Sequence, residues 1–353
     1  MKLLGKMECI GSRLILNREM KFLNITNKVF ILFCMLLLIF ILSACKQTEQ
    51  SHENINMENE KQNITYSFKN PNTGQEFNII HAYMLYENYF ETVKDNPDES
   101  PHKLYQQEII EPIYDACFKD TEHLEINLFE WTPEESDYDS IKNQVESIDK
   151  DHINNLYEES LVKSSEILSS DKKTNVCVFP KNERFPSDMI TAGSGKILVF
   201  FNDFDNYYSL SELDNNHKSG ISHEYHHSVW IEKHYTEDYY PTLLDYLVME
   251  GQAVMFETLV YPDSNSTAYV IDENFNKEYW SRIEPNLEGS VTDQIYEILI
   301  GGTNGFPNYY GYSEGYKMIR SYLNLHPDMT VEEWTSKSPK EIFEEGNYMA
   351  NYE

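Results

Sequence analysis

The five residues His223-Glu224-Tyr225-His226-His227 constrain this chain more than any other stretch. Residues four apart stack on one face of an α-helix, so the two outer imidazoles reach a single point only if the segment is helical. The pattern predicts a helix from about Asn216 to His234. On such a helix Glu224 is carried beside whatever the two imidazoles hold.

Two imidazoles at this spacing are a metal-ligand pair, and H-E-x-x-H on a helix points to zinc. Zinc acidifies a water that it holds, and Glu224 is placed to take the proton as that water attacks a peptide carbonyl. A catalytic zinc site takes three protein ligands and keeps one position for water. The extended pattern H-E-x-x-H-x-x-G-x-x-H would need Gly at Trp230 and His at Lys233, and both fail. His234 is one residue out of place and reads as a helix C-terminal histidine. The third ligand is expected on a second helix, Leu243 to Leu259, which follows Pro241 and carries Glu250 among apolar neighbours. A carboxylate there is costly to bury unpaired, and Gly251 beside it lets two helices approach closely. The metal set is therefore read as His223, His227 and Glu250, with Glu224 as general base.

The surroundings read as α+β, a small sheet packed on a mostly helical body. Thr174 to Pro180 and Lys196 to Phe201 are short apolar, β-branched runs with the character of strands, and Thr191 to Gly195 between them reads as a turn. Apolar residues at helical spacing, among them Leu104, Ile109, Ile113, Ile141, Val145 and Ile153, mark an N-terminal helical lobe over about 80–169. Further helices are expected around Thr292 to Leu299 and Tyr312 to Leu323. With no internal repeat and no Pro- or Gly-rich linker, residues 65–353 read as one catalytic domain.

Residues 1–44 are read as an address. An uncharged run from Val29 to Leu42 follows Lys21 and Lys28, too short for the ~20 apolar residues of a spanning helix but right for a signal peptide. Leu42-Ser43-Ala44-Cys45 then resembles a bacterial lipobox, which makes Cys45 the lipidated first residue of the mature chain; Met20 is a plausible true start. Residues 45–64, rich in Gln, Glu, Asn and Ser, read as a disordered tether. The expected location is the outer face of the cell membrane, held by the lipid at Cys45.

Charge bears on partners. The net charge is −31, and it becomes −35 once the six basic and two acidic residues of 1–44 are removed, which disfavours nucleic acid as a partner. The five cysteines, Cys9, Cys34, Cys45, Cys117 and Cys177, contain no C-x-x-C pair; Cys117 and Cys177 could bridge outside the cell, but two buried thiols is the favoured reading.

His-Glu-Tyr-His-His, then Met249-Glu250-Gly251-Gln252-Ala253, then Gly311-Tyr312-Ser313-Glu314-Gly315-Tyr316 together resemble the DUF2268 family of predicted Zn-dependent proteases, from roughly Asn175 to the C-terminus. The resemblance implies a zincin-like peptidase fold of the gluzincin type, zinc as cofactor, and a peptide or protein substrate. It also implies His223, His227 and Glu250 as ligands and Glu224 as base. Gln252 and Gly346 depart from the family's pattern. Around the site, Asp245 and Glu257 are candidate acceptors for the ligand histidines' second N–H, and His226 is a candidate hydrogen-bonder behind the metal. Tyr312 and Tyr316 are candidate donors to an oxyanion, weighed against plain core roles. Strand Lys196 to Phe201 is expected to be the edge on which an extended substrate pairs. Asn202 to Asn206 is a weak calcium-loop candidate. The competing class is a non-catalytic lipoprotein that binds a peptide, solute or cell-wall partner, which would have no use for Glu224.

Overall fold

Alternation along two central strands decides the architecture. The computed structural model describes residues 64–121, 131–181, 188–201, 210–236, 238–262, 271–289, 294–302 and 305–353; the leader with Cys45, the tether up to residue 63 and Asn202 to Asn206 lie outside the described residues. The sheet comprises β1 (Thr65–Lys69), β2 (Glu76–Ile80), β3 (Thr174–Pro180), β4 (Met189–Gly193) and β5 (Lys196–Phe201), in the order β1-β2-β3-β5-β4. β2, β3 and β5 run parallel, while β1 and β4 are antiparallel to their neighbours. Successive side chains of a strand point to opposite faces. Val176, Val178, Ile197, Val199 and Phe201 enter one core, and Cys177, Phe179, Leu198 and Phe200 enter another. A sheet buried on both faces needs such continuous apolar runs.

One face is covered by α1 (Tyr86–Asp95), α2 (Pro101–Tyr105), α3 (Glu111–Cys117) and α4 (Tyr138–Ser147). A wide turn, Gln106–Ile110, joins α2 to α3 just ahead of Pro112, whose missing N–H cannot extend the regular ladder. A disulfide between Cys117 and Cys177 ties α3 to β3, with Cα atoms 6.1 Å apart, so of the two readings of these cysteines the bridge is the one formed. The other face carries α5 (Lys150–Ile167), α6 (Leu210–His234) and α7 (Leu243–Val260). Beyond these lie α8 (Lys277–Ile283), α9 (Gln294–Ile300), α10 (Tyr310–Leu325), α11 (Val331–Thr335) and α12 (Pro339–Glu345). The helices between Ile80 and Ser169 are thus divided: Ile153, Leu156, Tyr157 and Leu161 of α5 join the core on the side of α6 and α7.

Two expectations change. Thr191 to Gly193 is strand, not turn; only Ser194 and Gly195 turn the chain, and Gly195 takes the positive φ (72°) that a hairpin of this kind requires. The edge strand beside the helices is consequently β4, and β5 lies inside the sheet.

α7 begins with a reciprocal cap in which Asp245 N donates to Thr242 Oγ1 and Thr242 N donates to the Asp245 carboxylate. Asp245 is thereby occupied as a cap and is not the acceptor for a ligand histidine that the sequence suggested. α7 and α10 cross backbone to backbone: a Cβ on Gly251 would lie 2.0 Å from Gly315 C, and one on Gly315 would lie 1.7 Å from Leu247 O. Both departures from the family pattern find reasons in packing. Gln252 Nε2 donates to Trp334 O at 2.7 Å, and a Cβ on Gly346 would meet Ile342 O at 2.5 Å. No helix among the described residues is long and apolar enough to cross a membrane.

Candidate metal centre and active site

From Ile221 to Ile231 every residue of α6 is buried, and each side of the helix meets a different partner. Ser222 meets Ser164 and Ser160 of α5, with Oγ atoms 2.9 and 3.1 Å away. Tyr225 points at the sheet side, its hydroxyl 2.7 Å from Gln75 Oε1 and 2.8 Å from Leu168 O. Val229 joins the main core. A helix enclosed in this way has no polar face to spare, so its charged residues must be matched internally.

His223 and His227 turn toward α7 and meet Glu250. Glu250 Oε2 is 3.2 Å from His223 Nε2 and 3.1 Å from His227 Nε2, and the three groups form a cluster whose ligand atoms all lie within 4.8 Å of one another. Ligand atoms around one tetrahedral zinc, at ~2.0–2.1 Å from the ion, are about 3.3 Å apart. The donor set and its spacing fit that ion. Glu257, seven residues and so about two turns after Glu250 on the same face of α7, places Oε2 3.2 Å from His223 Nδ1. Of the two acceptors suggested by the sequence, Glu257 is the one the structure brings to the histidine; it fixes the ring so that Nε2 is presented to the centre.

The electrostatics follow from burial against pairing. Burial pulls the His223 imidazole down, but Glu250 and Glu257 on its two nitrogens outweigh that and raise it to about 10. Burial would raise Glu250, yet His227 and His223 hold it well below the usual carboxylate range. Burial raises Glu257 despite its bond to His223. The carboxylates thus favour a proton on His223, which a metal ion bound at this cluster would displace, because imidazole must be neutral to ligate.

Glu224 leaves the helix toward β4. Thr191 Oγ1 lies 2.8 Å from its Oε2 and 2.8 Å from its main-chain O. One turn on, Ser228 Oγ accepts the Gly195 N–H at 2.7 Å. α6 and the β4–β5 hairpin are therefore clipped together at two points. Thr191 was not singled out in the sequence, because it falls in the stretch read as a turn and nothing local marks it.

The remaining candidates separate. Tyr312 of α10 is brought to the centre, its ring centroid 6.2 Å from that of His223, whereas Tyr316 faces the Arg320 guanidinium. His226 points away from Glu250: its Nε2 is 3.2 Å from Thr335 Oγ1, its ring stacks on Trp334, and burial keeps it neutral by pushing it far below its ordinary value. His234 ends α6 with Nε2 2.8 Å from Thr335 O. Thr335, unmarked in the sequence, is the shared anchor of these two histidines.

A family model described as "Predicted Zn-dependent protease (DUF2268)" matches residues 153–344, more than half of the chain and all of the cluster. The chain is also 26% identical over 164 residues to the uncharacterized protein YjaZ of Bacillus subtilis (strain 168); the match covers 44% of this chain and 61% of that protein. The chain thus spans about three fifths of that relative's length. No solved structure matches.

Proposed function

Since this chain belongs to the DUF2268 family of predicted Zn-dependent proteases, we propose that it is a zinc peptidase whose metal is held by His223, His227 and Glu250 and whose general base is Glu224. The observation that carries the reading is the convergence of two imidazole nitrogens and one carboxylate oxygen from two helices, with a fourth residue, Glu224, beside them on another side of α6. When bound there, zinc supplies a Lewis acid that polarises the scissile carbonyl and acidifies the attacking water. Glu224 takes the water's proton on its carboxylate and returns it to the leaving amine. Glu257 holds His223 in the ligating orientation. The ring of Tyr312, centred 6.2 Å from that of His223, supports its phenol as donor to the oxygen that becomes anionic.

An extended substrate pairs with β4, whose far side bonds no other strand among the described residues and which abuts the base. The edge strand β4 packed on α6 supports a zincin-like reading of the fold. A net charge of −31 and the paucity of basic side chains keep nucleic acid out of the partner list. The lipobox-like Leu42-Ser43-Ala44-Cys45 supports anchoring on the outer face of the membrane through Cys45. The Cys117–Cys177 disulfide supports the same placement, since such bonds persist in oxidising compartments.

The test is hydrolysis of a mixed peptide library, followed by mass spectrometry, with the chain from Lys46 onward and its Glu224→Gln variant. Cleavage slowed by about 100-fold or more in Glu224→Gln supports the peptidase. Cleavage indifferent to Glu224, or no cleavage by the zinc-loaded protein, transfers the site to a binding lipoprotein.

A further inference from the structure

We infer that Thr191 is a positioning residue for Glu224, and that the β4–β5 hairpin and the metal helix act as one rigid unit which fixes the base relative to a substrate on β4. The inference rests on the reading of Glu224 as general base and goes one step beyond it. Thr191 is 5% exposed, and its hydroxyl has two acceptors within 2.8 Å, both belonging to the same residue. One hydroxyl proton shared between the main-chain O and Oε2 of Glu224 ties the side chain's free end to its own backbone across the strand. A glutamate has three rotatable bonds, and this contact removes the freedom that matters, leaving Oε1 to take the proton. Ser228 repeats the contact four residues later, where its hydroxyl receives the Gly195 N–H. Glu224 and Ser228 lie on one face of α6, so the helix grips the strand and the turn of the hairpin together. Gly220 adds to the fit, since a Cβ there would come 2.8 Å from Met189 Sδ at the start of β4.

The geometry has a kinetic consequence. A carboxylate that must sit within hydrogen-bond reach of a particular water loses effectiveness steeply when displaced, by about 100-fold for a shift of ~1 Å. Thr191→Val keeps the shape and the strand propensity while deleting the hydroxyl; Thr191→Ser keeps the hydroxyl and deletes only the methyl. The experiment measures kcat and KM on a quenched-fluorescent peptide containing a bond that the wild-type chain cuts. Zinc per chain and melting temperature are measured for each variant as well.

The expected result is a fall in kcat of about 10- to 100-fold in Thr191→Val, with KM, zinc content and melting temperature as in the wild type, and recovery of most of the activity in Thr191→Ser. In a Glu224→Gln background, Thr191→Val should cost nothing more, because its effect passes through the carboxylate. Wild-type kcat in Thr191→Val overturns the assignment, as does a loss of kcat accompanied by lost zinc or a lowered melting temperature. An equal further loss in the Glu224→Gln background overturns it too, by making the role structural. If Glu224→Gln alone keeps wild-type kcat, the base assignment fails instead, which separates the two failures.

Discussion

The two faces of the sheet are covered by helices in equal earnest, but with different chemistry. On the side of α1 to α4 the buried residues are almost all hydrocarbon and aromatic, from Tyr86, Tyr89 and Phe90 to Ile109, Ile110 and Trp131, and a disulfide adds covalent restraint. On the side of α6, α7 and α10 the core is also apolar, yet it encloses His217, His223, Glu224, His226, His227, Glu250, Glu257, Glu314 and Lys317. Buried ionisable groups are tolerated only when paired. Glu314, for instance, receives Lys317 Nζ at 2.7 Å and Tyr352 OH at 2.6 Å, which ties down the C-terminus. One face holds the sheet together, and the other holds paired charge within an apolar core.

The largest separation between the faces should come from Glu224→Gln. It should lower kcat by about 10²- to 10⁴-fold while zinc content and the urea unfolding midpoint stay at wild-type values; loss of folding along with activity would erase the distinction drawn here. Next in size is Cys117→Ala with Cys177→Ala. The bridge closes a loop of 60 residues, so its removal should cost about 4 kcal/mol of stability on chain-entropy grounds. Specific activity of the molecules that remain folded should be unchanged, as measured by assay below the new melting temperature. Gly315→Ala should do the reverse of a clean separation: a Cβ 1.7 Å from Leu247 O forces α10 off α7, costing about 3 kcal/mol and moving Tyr312 from His223. Denaturant titration and peptide assay should both register it.

The smallest expected effect concerns acid. His217 is buried against Tyr157 and Phe201, and burial lowers its imidazole to about 4. The unfolded chain binds a proton near pH 6.5 and the folded one does not, so stability is present above 6.5 and declines as pH falls toward 4, by about 3 kcal/mol at most. In His217→Gln that decline should be shallower by the corresponding amount; an unchanged slope would mean that His217 is not a source of acid sensitivity.

What could be read in the sequence was what is written in one short stretch. The spacing of His223 and His227 already dictates a helix that turns both imidazoles to one side. Glu250 stands out because an acid amid Leu247, Val248 and Met249 must have a partner. Both strands with continuous apolar runs were legible for the same reason, since burial on two faces leaves a mark on every residue. β4 was not, because Met-Ile-Thr-Ala-Gly is short, partly small, and ends in the glycine pattern of a turn. That misplaced the edge strand and hid Thr191, whose role exists only once the hairpin folds onto α6. The bridge between Cys117 and Cys177 was equally out of reach, because it depends on how α3 lies across β3. Asp245 and Glu257 looked alike as candidates; only the start of α7 shows that the first is consumed by its cap.

His223, His227 and Glu250 are proposed to form one zinc site. Elemental analysis of the purified chain from Lys46 onward, wild type beside Glu250→Ala, after dialysis against a weak chelator, tests it most directly. The expected result is about one zinc per chain in the wild type and a large loss in the variant. A wild-type protein without zinc, or a Glu250→Ala protein that retains it in full, would contradict the site.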